Sequence, residues 1–322
     1  MSDLKTYLEK TAEQVDIALE RNFGDVFGDL YKASAHLLLA GGKRLRPAVL
    51  LLAANAVKPG RADDLITAAI AVEMTHTFTL IHDDIMDGDV TRRGVPTVHT
   101  KWDEPTAILA GDVLYAKSFE YITHALAEDR ARVKAVTLLA RTCTEICEGQ
   151  HQDMAFEQKG AEVEAADYIE MAGKKTGALY AAAAAIGGTL AGGNAMQVDA
   201  LYQYGMNAGI AFQIQDDLID LLAPPETSGK DRASDLREGK QTLIAITARE
   251  KGLDLSKYRH TLTGAEIDAA IAELEETGVI DEVRRAAEER VATAKRSLSV
   301  LPESMERTYL EEIADYFLTR SF

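Results

Sequence analysis

The sequence predicts an all-α protein, and three observations support that fold class. Apolar residues recur at helical spacing along most of the 322-residue chain, as at Ile70, Met74 and Ile81. Alanine-rich runs such as residues 178–186 favour helix over strand. No stretch shows sustained alternation of Val, Ile and Thr, and no Asn-Gly or Asp-Gly pair separates two such stretches. We therefore predict one helical domain spanning residues 1–322.

Helix breakers divide this domain into elements. A glycine pair at 41–42 precedes Pro47, a residue suited to the first turn of a helix. Thr263 and Glu266 have the spacing of a capping box and predict the start of another helix. The segment 223–240 combines Gly, Pro and many charges. We predict that it is a mobile loop, here called the lid, within the same domain.

The composition limits the partners and the location of the protein. A formal net charge of −17 argues against nucleic acid as the main partner, because duplex binding depends on a basic surface. The first residues are charged throughout and lack the apolar core of a signal peptide. Apolar stretches such as residues 48–57 fall short of a bilayer span, and the two cysteines form no disulfide framework. We expect a cytoplasmic protein without a membrane span.

The first candidate functional feature is an acidic cluster in an apolar helix. Asp83, Asp84 and Asp87 stand in the segment LIHDDIMD. Asp83 and Asp87 are four residues apart and project from one helix face, where like charges destabilise a helix unless a cation compensates them. Carboxylate oxygens suit Mg²⁺, which completes its shell with water and substrate phosphate. A solvated, acidic helix end is the alternative explanation.

A second acidic cluster repeats this spacing far along the chain. Asp216, Asp217 and Asp220 stand in FQIQDDLID, again in an apolar helix. Two such clusters could face each other across a cavity and share several divalent ions. Their repetition in two apolar helices disfavours the explanation by solvated ends, and we predict a Mg²⁺ site for a polyanionic ligand.

Basic residues lie where an anionic ligand would need them. They fall before Pro47 at a predicted helix N-terminus, after the first acidic cluster, at the start of the alanine-rich helix and in the lid. These residues are Lys43, Arg44, Arg46, Arg92, Arg93, Lys175, Lys230 and Lys240. His76, two turns before Asp83 on the same face, could donate to an anion or be a satisfied core residue. Each cation alone could be a solvated surface residue, but the set predicts two polyanionic groups, one bound through metal and one bound directly.

The ordered motifs resemble those of the trans-isoprenyl diphosphate synthases, also called polyprenyl synthetases. The resemblance spans about residues 41–240 and rests on GGKRLRP at 41–47, HDDIMDGDVTRRG at 82–94, KT at 175–176, FQIQDD at 212–217 and DLREGKQTL at 235–243. It implies an isoprenoid-synthase-like helical bundle around a central active-site cavity. It also implies chain-elongating prenyl transfer, which joins isopentenyl diphosphate to an allylic diphosphate (dimethylallyl, geranyl or farnesyl) with Mg²⁺.

The same resemblance implies a role for each motif residue. Carboxylates that hold Mg²⁺ on the allylic diphosphate would be Asp83, Asp84, Asp87 and Asp216, with Asp217 and Asp220 acting through water. Cations that contact that diphosphate would be Arg92, Lys175, Lys230 and Lys240. The isopentenyl diphosphate site would comprise Lys43, Arg46, His76 and Arg93. Thr176 and Gln213 would lie near the reacting carbons.

Some positions depart from the family pattern or concern product length. Ala233 stands where the family usually has glycine in the lid, which puts the conformation of that loop in doubt, and the C-terminal basic residues are reduced to Arg320. Archaeal-type members carry a large residue five positions before the first aspartate, here Phe78, followed by the small Thr79. This pattern implies the C20 product geranylgeranyl diphosphate. On an ideal helical wheel Thr79 lies about 40° from Asp83 and Phe78 about 140°, so the role of Phe78 rests on the resemblance.

Several alternatives follow from the same residues. A farnesyl-length or mixed-length product would use the same chemistry. A terpene cyclase or head-to-head synthase would need no isopentenyl site, so the basic residues at 43–46 argue against it. A non-catalytic partner subunit would tend to lose the aspartates, and a helical DNA-binding or scaffold protein fails on net charge. Family analogy implies a homodimer.

Overall fold

The computed structural model describes residues 2–24, 27–159, 162–223 and 232–319, and it confirms the all-α fold class. Within these ranges the only strands are a single two-residue antiparallel pair. The chain forms two compact units. The first comprises Met1–Cys143, Ala182–Tyr202 and Val300–Leu310, and the second comprises Thr144–Ala181, Gln203–Ser299 and Glu311–Phe322. The prediction of a single domain around one cavity stays a prediction.

The described residues form a succession of helices. In chain order they are α1 (Ser2–Phe23), α2 (Asp29–Leu38), α3 (Leu45–Val57), α4 (Ile66–Asp87), α5 (Val98–Lys101), α6 (Glu104–Thr123), α7 (Asp129–Lys159), α8 (Ala165–Ala172), α9 (Ala178–Leu190), α10 (Ala195–Leu222), α11 (Ser234–Glu238), α12 (Leu243–Glu250), α13 (Gly264–Glu276), α14 (Val279–Ser297) and α15 (Met305–Thr319). A π-helical turn, Gly173–Gly177, joins α8 to α9. The capping box at Thr263 and Glu266 is confirmed at the start of α13.

The core of the first unit is built around α4. Its residues Ile70, Met74 and Ile81 are buried and pack with apolar residues of α1, α2 and α6. Gly111 permits a close approach between α4 and α6, because a Cβ at that position would lie 2.2 Å from His82 Nε2. The acidic end of α4 is therefore carried by a helix that its neighbours hold in place.

A small hairpin, which the sequence pattern does not indicate, follows α4. Strands β1 (Thr91–Arg92) and β2 (Val95–Pro96) pair antiparallel. The two residues between them, Arg93 and Gly94, have φ values of 53° and 75°, as a two-residue type I′ turn requires. Because Arg-Gly replaces the usual Asn-Gly or Asp-Gly in this turn, the sequence rule for hairpins does not predict it.

The core of the second unit is built around α10. Ile214 and Leu218 of this helix pack with apolar residues of α8, α12, α13 and α14. The backbone of α10 also approaches the π-helical turn, because a Cβ on Gly209 would lie 2.6 Å from the Gly177 Cα. This contact sets the turn and its side chains directly against α10.

One helical run corrects the expectation that no apolar stretch is long enough to span a bilayer. Residues Ala62–Asp87 pass that test by length and composition. However, 67% of the apolar window is buried within the protein. That burial is the behaviour of a core helix, in agreement with the place of α4 in the first unit.

The described end of the lid contains a short helix. Residues 224–231 lie outside the described ranges, whereas 234–238 form the short helix α11. Ala233 precedes that helix with φ 58°, and its N–H donates to the Asp220 carbonyl at 2.8 Å. A positive φ disfavours any residue with a Cβ, which gives a physical reason for the glycine that the family pattern has at this position.

Candidate active site

The first acidic cluster ends α4. Asp83 is half-buried, Asp84 is fully buried and Asp87 is exposed. Asp84 Oδ1 accepts a hydrogen bond from Arg92 Nε, whereas Oδ2 is buried without a hydrogen-bond partner among the described residues. Burial raises the pKa of Asp84, against the opposing effect of Arg92. A buried carboxylate oxygen that lacks a donor is unfavourable, so the cluster fits a divalent cation that takes oxygen ligands.

Arg92 is engaged by carboxylates of its own unit. Besides Asp84, it contacts Asp89, with Nη2 3.0 Å from Oδ2. A guanidinium has five N–H donors, so contact with a substrate diphosphate, as the family pattern implies, is compatible with both of these carboxylate contacts.

A cationic pocket, formed by Arg46, His76 and Arg93, includes the part of α4 that lies two turns before Asp83. Arg46 Nη1 lies 3.2 Å from His76 Nε2. Burial and the nearby charges of Arg46 and Arg93 lower the pKa of His76 well below its usual value, so the imidazole is neutral at pH 7. Arg93 Nη1 donates to the Gly41 carbonyl at 2.7 Å, which ties the type I′ turn to the glycine loop. Lys43, in the same loop, is exposed.

Arg44 was predicted to bind substrate, but its side chain is buried and paired with carboxylates of the protein. Its side chain is 1% exposed, and Nε donates to Asp16 Oδ1 at 2.8 Å. Nη1 donates to Glu73 Oε1 at 2.5 Å, and Nη2 donates to the Leu38 carbonyl at 2.7 Å. Glu73 Oε1 also lies 3.6 Å from Arg93 Nη2. Glu73 was not predicted as a functional residue; the sign of it in the sequence is a single carboxylate in the otherwise apolar first turns of α4.

The second acidic cluster lies near the end of α10, in the second unit. Asp216 is half-buried and Asp217 is 7% exposed. Asp217 accepts hydrogen bonds from the Tyr168 hydroxyl at 2.6 Å and from Gln213 Nε2 at 2.9 Å. Burial raises the pKa of Asp217 well above its usual value, and the nearby carboxylate of Asp235 adds to the rise. Tyr168 was not singled out by any sequence motif.

Asp220 connects this cluster to the described end of the lid. Its Oδ1 accepts from the Ser234 hydroxyl at 2.5 Å and its Oδ2 from the Asp235 N–H at 3.1 Å. Burial and the charge of Asp220 raise the pKa of Asp235 to about 6, and Lys240, 3.2 Å away, opposes that rise. Asp235 is a third residue that was not predicted as a site residue, although it opens the DLREGKQTL match.

The π-helical turn carries Lys175 and Thr176. Lys175 Nζ lies 2.5 Å from Asp153 Oδ2, and the Thr176 hydroxyl donates to Gln213 Oε1 at 2.7 Å. A Cβ on Gly149 would lie 2.4 Å from the Lys175 nitrogen, so this glycine lets α7 approach the turn. The structure therefore brings Thr176 and Gln213 together, as the family pattern implies.

Phe78 and Thr79 lie on different sides of α4. Phe78 is 6% exposed, and its ring centroid is 5.2 Å from that of Tyr115 in a T-shaped arrangement. Tyr115 packs in turn against Phe119, at 5.0 Å. Thr79 is half-buried, and its hydroxyl donates to the His76 carbonyl at 2.8 Å. Phe78 thus belongs to an aromatic group shared by α4 and α6.

Two predicted basic residues have no described position, and the predicted metal ligands that the structure describes do not form a complete site by themselves. Lys230 and Arg320 lie outside the described residues. Within the described ranges, no three His, Cys, Asp or Glu side chains are arranged to hold a metal ion by themselves. Mg²⁺ is usually held by one or two carboxylates with water and substrate phosphate, and the acidic clusters can supply that kind of ligand set.

Comparison with known proteins agrees with the fold and with the motifs. The family model described as polyprenyl synthetase matches residues 28–274. The geranylgeranyl diphosphate synthase of Methanosarcina mazei is 50% identical over 91% of this chain and 90% of that protein. The geranylfarnesyl diphosphate synthase of Natronomonas pharaonis is 48% identical over 91% of this chain and 90% of that protein.

A solved structure extends the likeness to nearly the whole chain. The geranylgeranyl pyrophosphate synthetase of Geoglobus acetivorans matches with a TM-score of 0.91 at 43% identity, covering 97% of this chain and 99% of that one. The resemblance drawn from the motifs is confirmed, and the chain belongs to the polyprenyl synthetase family.

Proposed function

We propose that this chain is a trans-prenyltransferase that condenses isopentenyl diphosphate with dimethylallyl, geranyl and farnesyl diphosphates to give geranylgeranyl diphosphate. The observation that supports this function is that two groups of opposite charge lie along α4. One is the carboxylate cluster at 83–87, which suits Mg²⁺-diphosphate. The other is the cationic pocket around His76, seven residues before Asp83, or about 10 Å along a helix axis. Two sites of different character suit an enzyme that joins two diphosphates.

The residues that would hold the metal follow the family pattern. Asp83, Asp84, Asp87 and Asp216 are the proposed ligands for two or three Mg²⁺ ions, and the family pattern adds Asp217 and Asp220 through water. Bound Mg²⁺ supplies positive charge that stabilises the departing diphosphate. The side chains of Arg92, Lys175, Lys230 and Lys240 add charge-assisted hydrogen bonds to the same group.

The reaction then follows from charge. The allylic C–O bond breaks heterolytically, its electron pair leaves with the diphosphate, and a delocalised carbocation remains. Arg46, His76 and Arg93 hold isopentenyl diphosphate so that its double bond attacks the cation. The new cation loses a proton to the released diphosphate, which restores a double bond in the longer chain. Closure of the lid excludes water that would otherwise quench the cation.

Product length is proposed from packing beside α4. The growing chain has to extend into an apolar space, and a bulky side chain stops it. Phe78 is buried against Tyr115, and we assign it as the stop for a C20 chain. A C25 main product would exclude this assignment. That outcome is the one to test for, because the Natronomonas pharaonis relative is named geranylfarnesyl diphosphate synthase.

Assembly and location are also proposals. One side of α6 exposes Ile108, Leu109 and Tyr115, which are 43%, 53% and 42% exposed. A homodimer that covers this apolar side would remove it from water. Light scattering at twice the mass of the chain would support the homodimer, and a mass of one chain would contradict it. We expect the enzyme in the cytoplasm, where cell fractionation would find the product-forming activity.

The test of the function uses the purified full chain with isopentenyl diphosphate and each allylic primer, with and without Mg²⁺. Chain growth that requires both the primer and Mg²⁺ would support it. Asp83→Asn should lower kcat on the order of a thousandfold, because a metal ligand is lost. Asp199→Asn, a matched change at an exposed carboxylate of α10, should keep the wild-type rate. No chain growth with any primer would contradict the proposed function.

A further inference from the structure

Four side chains form a continuous hydrogen-bonded chain inside the second unit. The Thr176 hydroxyl donates to Gln213 Oε1 at 2.7 Å, and Gln213 Nε2 donates to Asp217 Oδ1 at 2.9 Å. The Tyr168 hydroxyl donates to Asp217 Oδ2 at 2.6 Å from the other side. These residues come from the π-helical turn, α10 and α8, so three packed elements fix the chain at both ends.

The Asp217 carboxylate differs in kind from that of Asp84. Each Asp217 oxygen already accepts a hydrogen bond from a neutral protein donor, whereas Asp84 Oδ2 has no donor within the described ranges. Asp217 is 7% exposed and Tyr168 is 1% exposed, so neither group is bound mainly by solvent. A buried carboxylate with both oxygens held in this way serves as an acceptor that orients its donors.

We propose that Tyr168 is a positioning residue for prenyl transfer, and that Asp217 acts with it as a hydrogen-bond acceptor rather than as a ligand of Mg²⁺. This proposal rests on the proposed function and revises the role that the family pattern implies for Asp217. Tyr168 fixes the carboxylate of Asp217, which in turn fixes which end of the Gln213 amide is the donor. The amide oxygen of Gln213 is then left to accept from Thr176.

The direction of these hydrogen bonds fixes the orientation of the Thr176 hydroxyl. Because its hydroxyl proton is committed to Gln213, the oxygen lone pairs of Thr176 are directed away from that bond. The carboxylate at the far end of the chain polarises the intervening groups in the sense that makes the Thr176 oxygen more negative. A fixed, partly negative oxygen is the kind of preorganised group that stabilises a developing allylic cation.

The experiment compares Tyr168→Phe, which removes only the hydroxyl, with Tyr204→Phe, a matched change at another fully buried tyrosine of the second unit. It measures kcat, KM for both substrates and the half-saturating Mg²⁺ concentration, and thermal unfolding identifies temperatures at which each variant is folded. Tyr168→Phe should lower kcat by up to about 100-fold, because Thr176 loses its orientation, and should leave the half-saturating Mg²⁺ concentration unchanged. Tyr204→Phe should keep the wild-type kcat.

A double-mutant cycle separates positioning from a structural role. Since Tyr168 acts through the chain on Thr176, Tyr168→Phe should lose most of its effect on kcat in a Thr176→Val background. Equal effects in both backgrounds, or a wild-type kcat in Tyr168→Phe, would overturn the positioning role alone. Recovery of Asp217→Asn at raised Mg²⁺ would make Asp217 a metal ligand and overturn its assignment as an acceptor. Failure of the wild-type chain to form product would refute the proposed function itself, and this proposal with it.

Discussion

The buried ion pair between Arg44 and Glu73 gives a prediction whose size follows from the structure. The two side chains are 1% and 3% exposed, with Arg44 Nη1 2.5 Å from Glu73 Oε1. Glu73→Gln keeps an oxygen acceptor of nearly the same shape but removes the negative charge. Among the described residues, the remaining ion-pair partner of the buried Arg44 is then Asp16, whose side chain is 46% exposed.

The expected loss in the free energy of unfolding follows from the burial of the pair. Removing one partner of a buried ion pair costs about 3–5 kcal/mol, because the other charge is left uncompensated. The amide oxygen that replaces the carboxylate still accepts from Arg44, so we expect the lower end, about 3 kcal/mol. The control is Asp16→Asn, which weakens a partly exposed contact of the same arginine and should cost less than about 1 kcal/mol.

The same substitution should reach the cationic pocket. Glu73 Oε1 lies 3.6 Å from Arg93 Nη2, so loss of its charge should loosen the orientation of Arg93. We expect KM for isopentenyl diphosphate to rise several-fold while KM for the allylic primer changes less. Urea unfolding followed by circular dichroism measures the stability, and steady-state kinetics measures the two KM values. If Glu73→Gln loses no more stability than Asp16→Asn and keeps both KM values, the reasoning is refuted.

Three further predictions concern single residues of the two units. Ala233→Val should lower the free energy of unfolding by more than about 2 kcal/mol, because a β-branched residue is strained at φ 58° in a buried position. Ala233→Gly should keep it within about 1 kcal/mol of wild type, because relief of strain offsets the greater chain entropy that glycine loses on folding. Equal urea midpoints for the two variants would contradict this. Because the pKa of His76 is lowered well below its usual value, the unfolded chain takes up a proton below about pH 6.5 that the folded protein does not, and stability is lost as pH falls through that value. His76→Gln should remove that part of the loss, and an unchanged slope of stability against pH would argue against it. Phe78→Ala should extend the product beyond 20 carbons, as chromatography of the dephosphorylated products would show, and unchanged lengths would move the stop elsewhere.

The features that the sequence predicts well are those with a local physical signature. Helical periodicity identifies α4, and two carboxylates four residues apart in an apolar helix stand out because they are unfavourable without a cation. The order of the motifs then indicates the family, which the matches confirm. Fold class and reaction class are therefore accessible from the chain alone.

The features that the sequence does not predict depend on contacts between distant residues. Arg44 and Arg46 look alike in the sequence, but Arg44 turns inward to a carboxylate 29 residues away, whereas Arg46 contacts His76. Arg93 contacts the glycine loop from a type I′ turn that lacks the usual Asn-Gly or Asp-Gly signal. Neighbouring residues also differ, since Asp217 faces Tyr168 while Asp216 lies on another side of the same helix. Periodicity fixes relative directions along a helix but does not say what lies opposite.

The most direct test of the central claim is the product formed from farnesyl diphosphate, excess isopentenyl diphosphate and Mg²⁺, analysed by mass. The proposed function predicts one addition per primer, a C20 diphosphate as the main product, and no product when Mg²⁺ is removed by chelation. A main product of C25 would contradict the chain-length assignment. Absence of any chain extension, with farnesyl or the shorter primers, would contradict the claim that this chain joins two diphosphates.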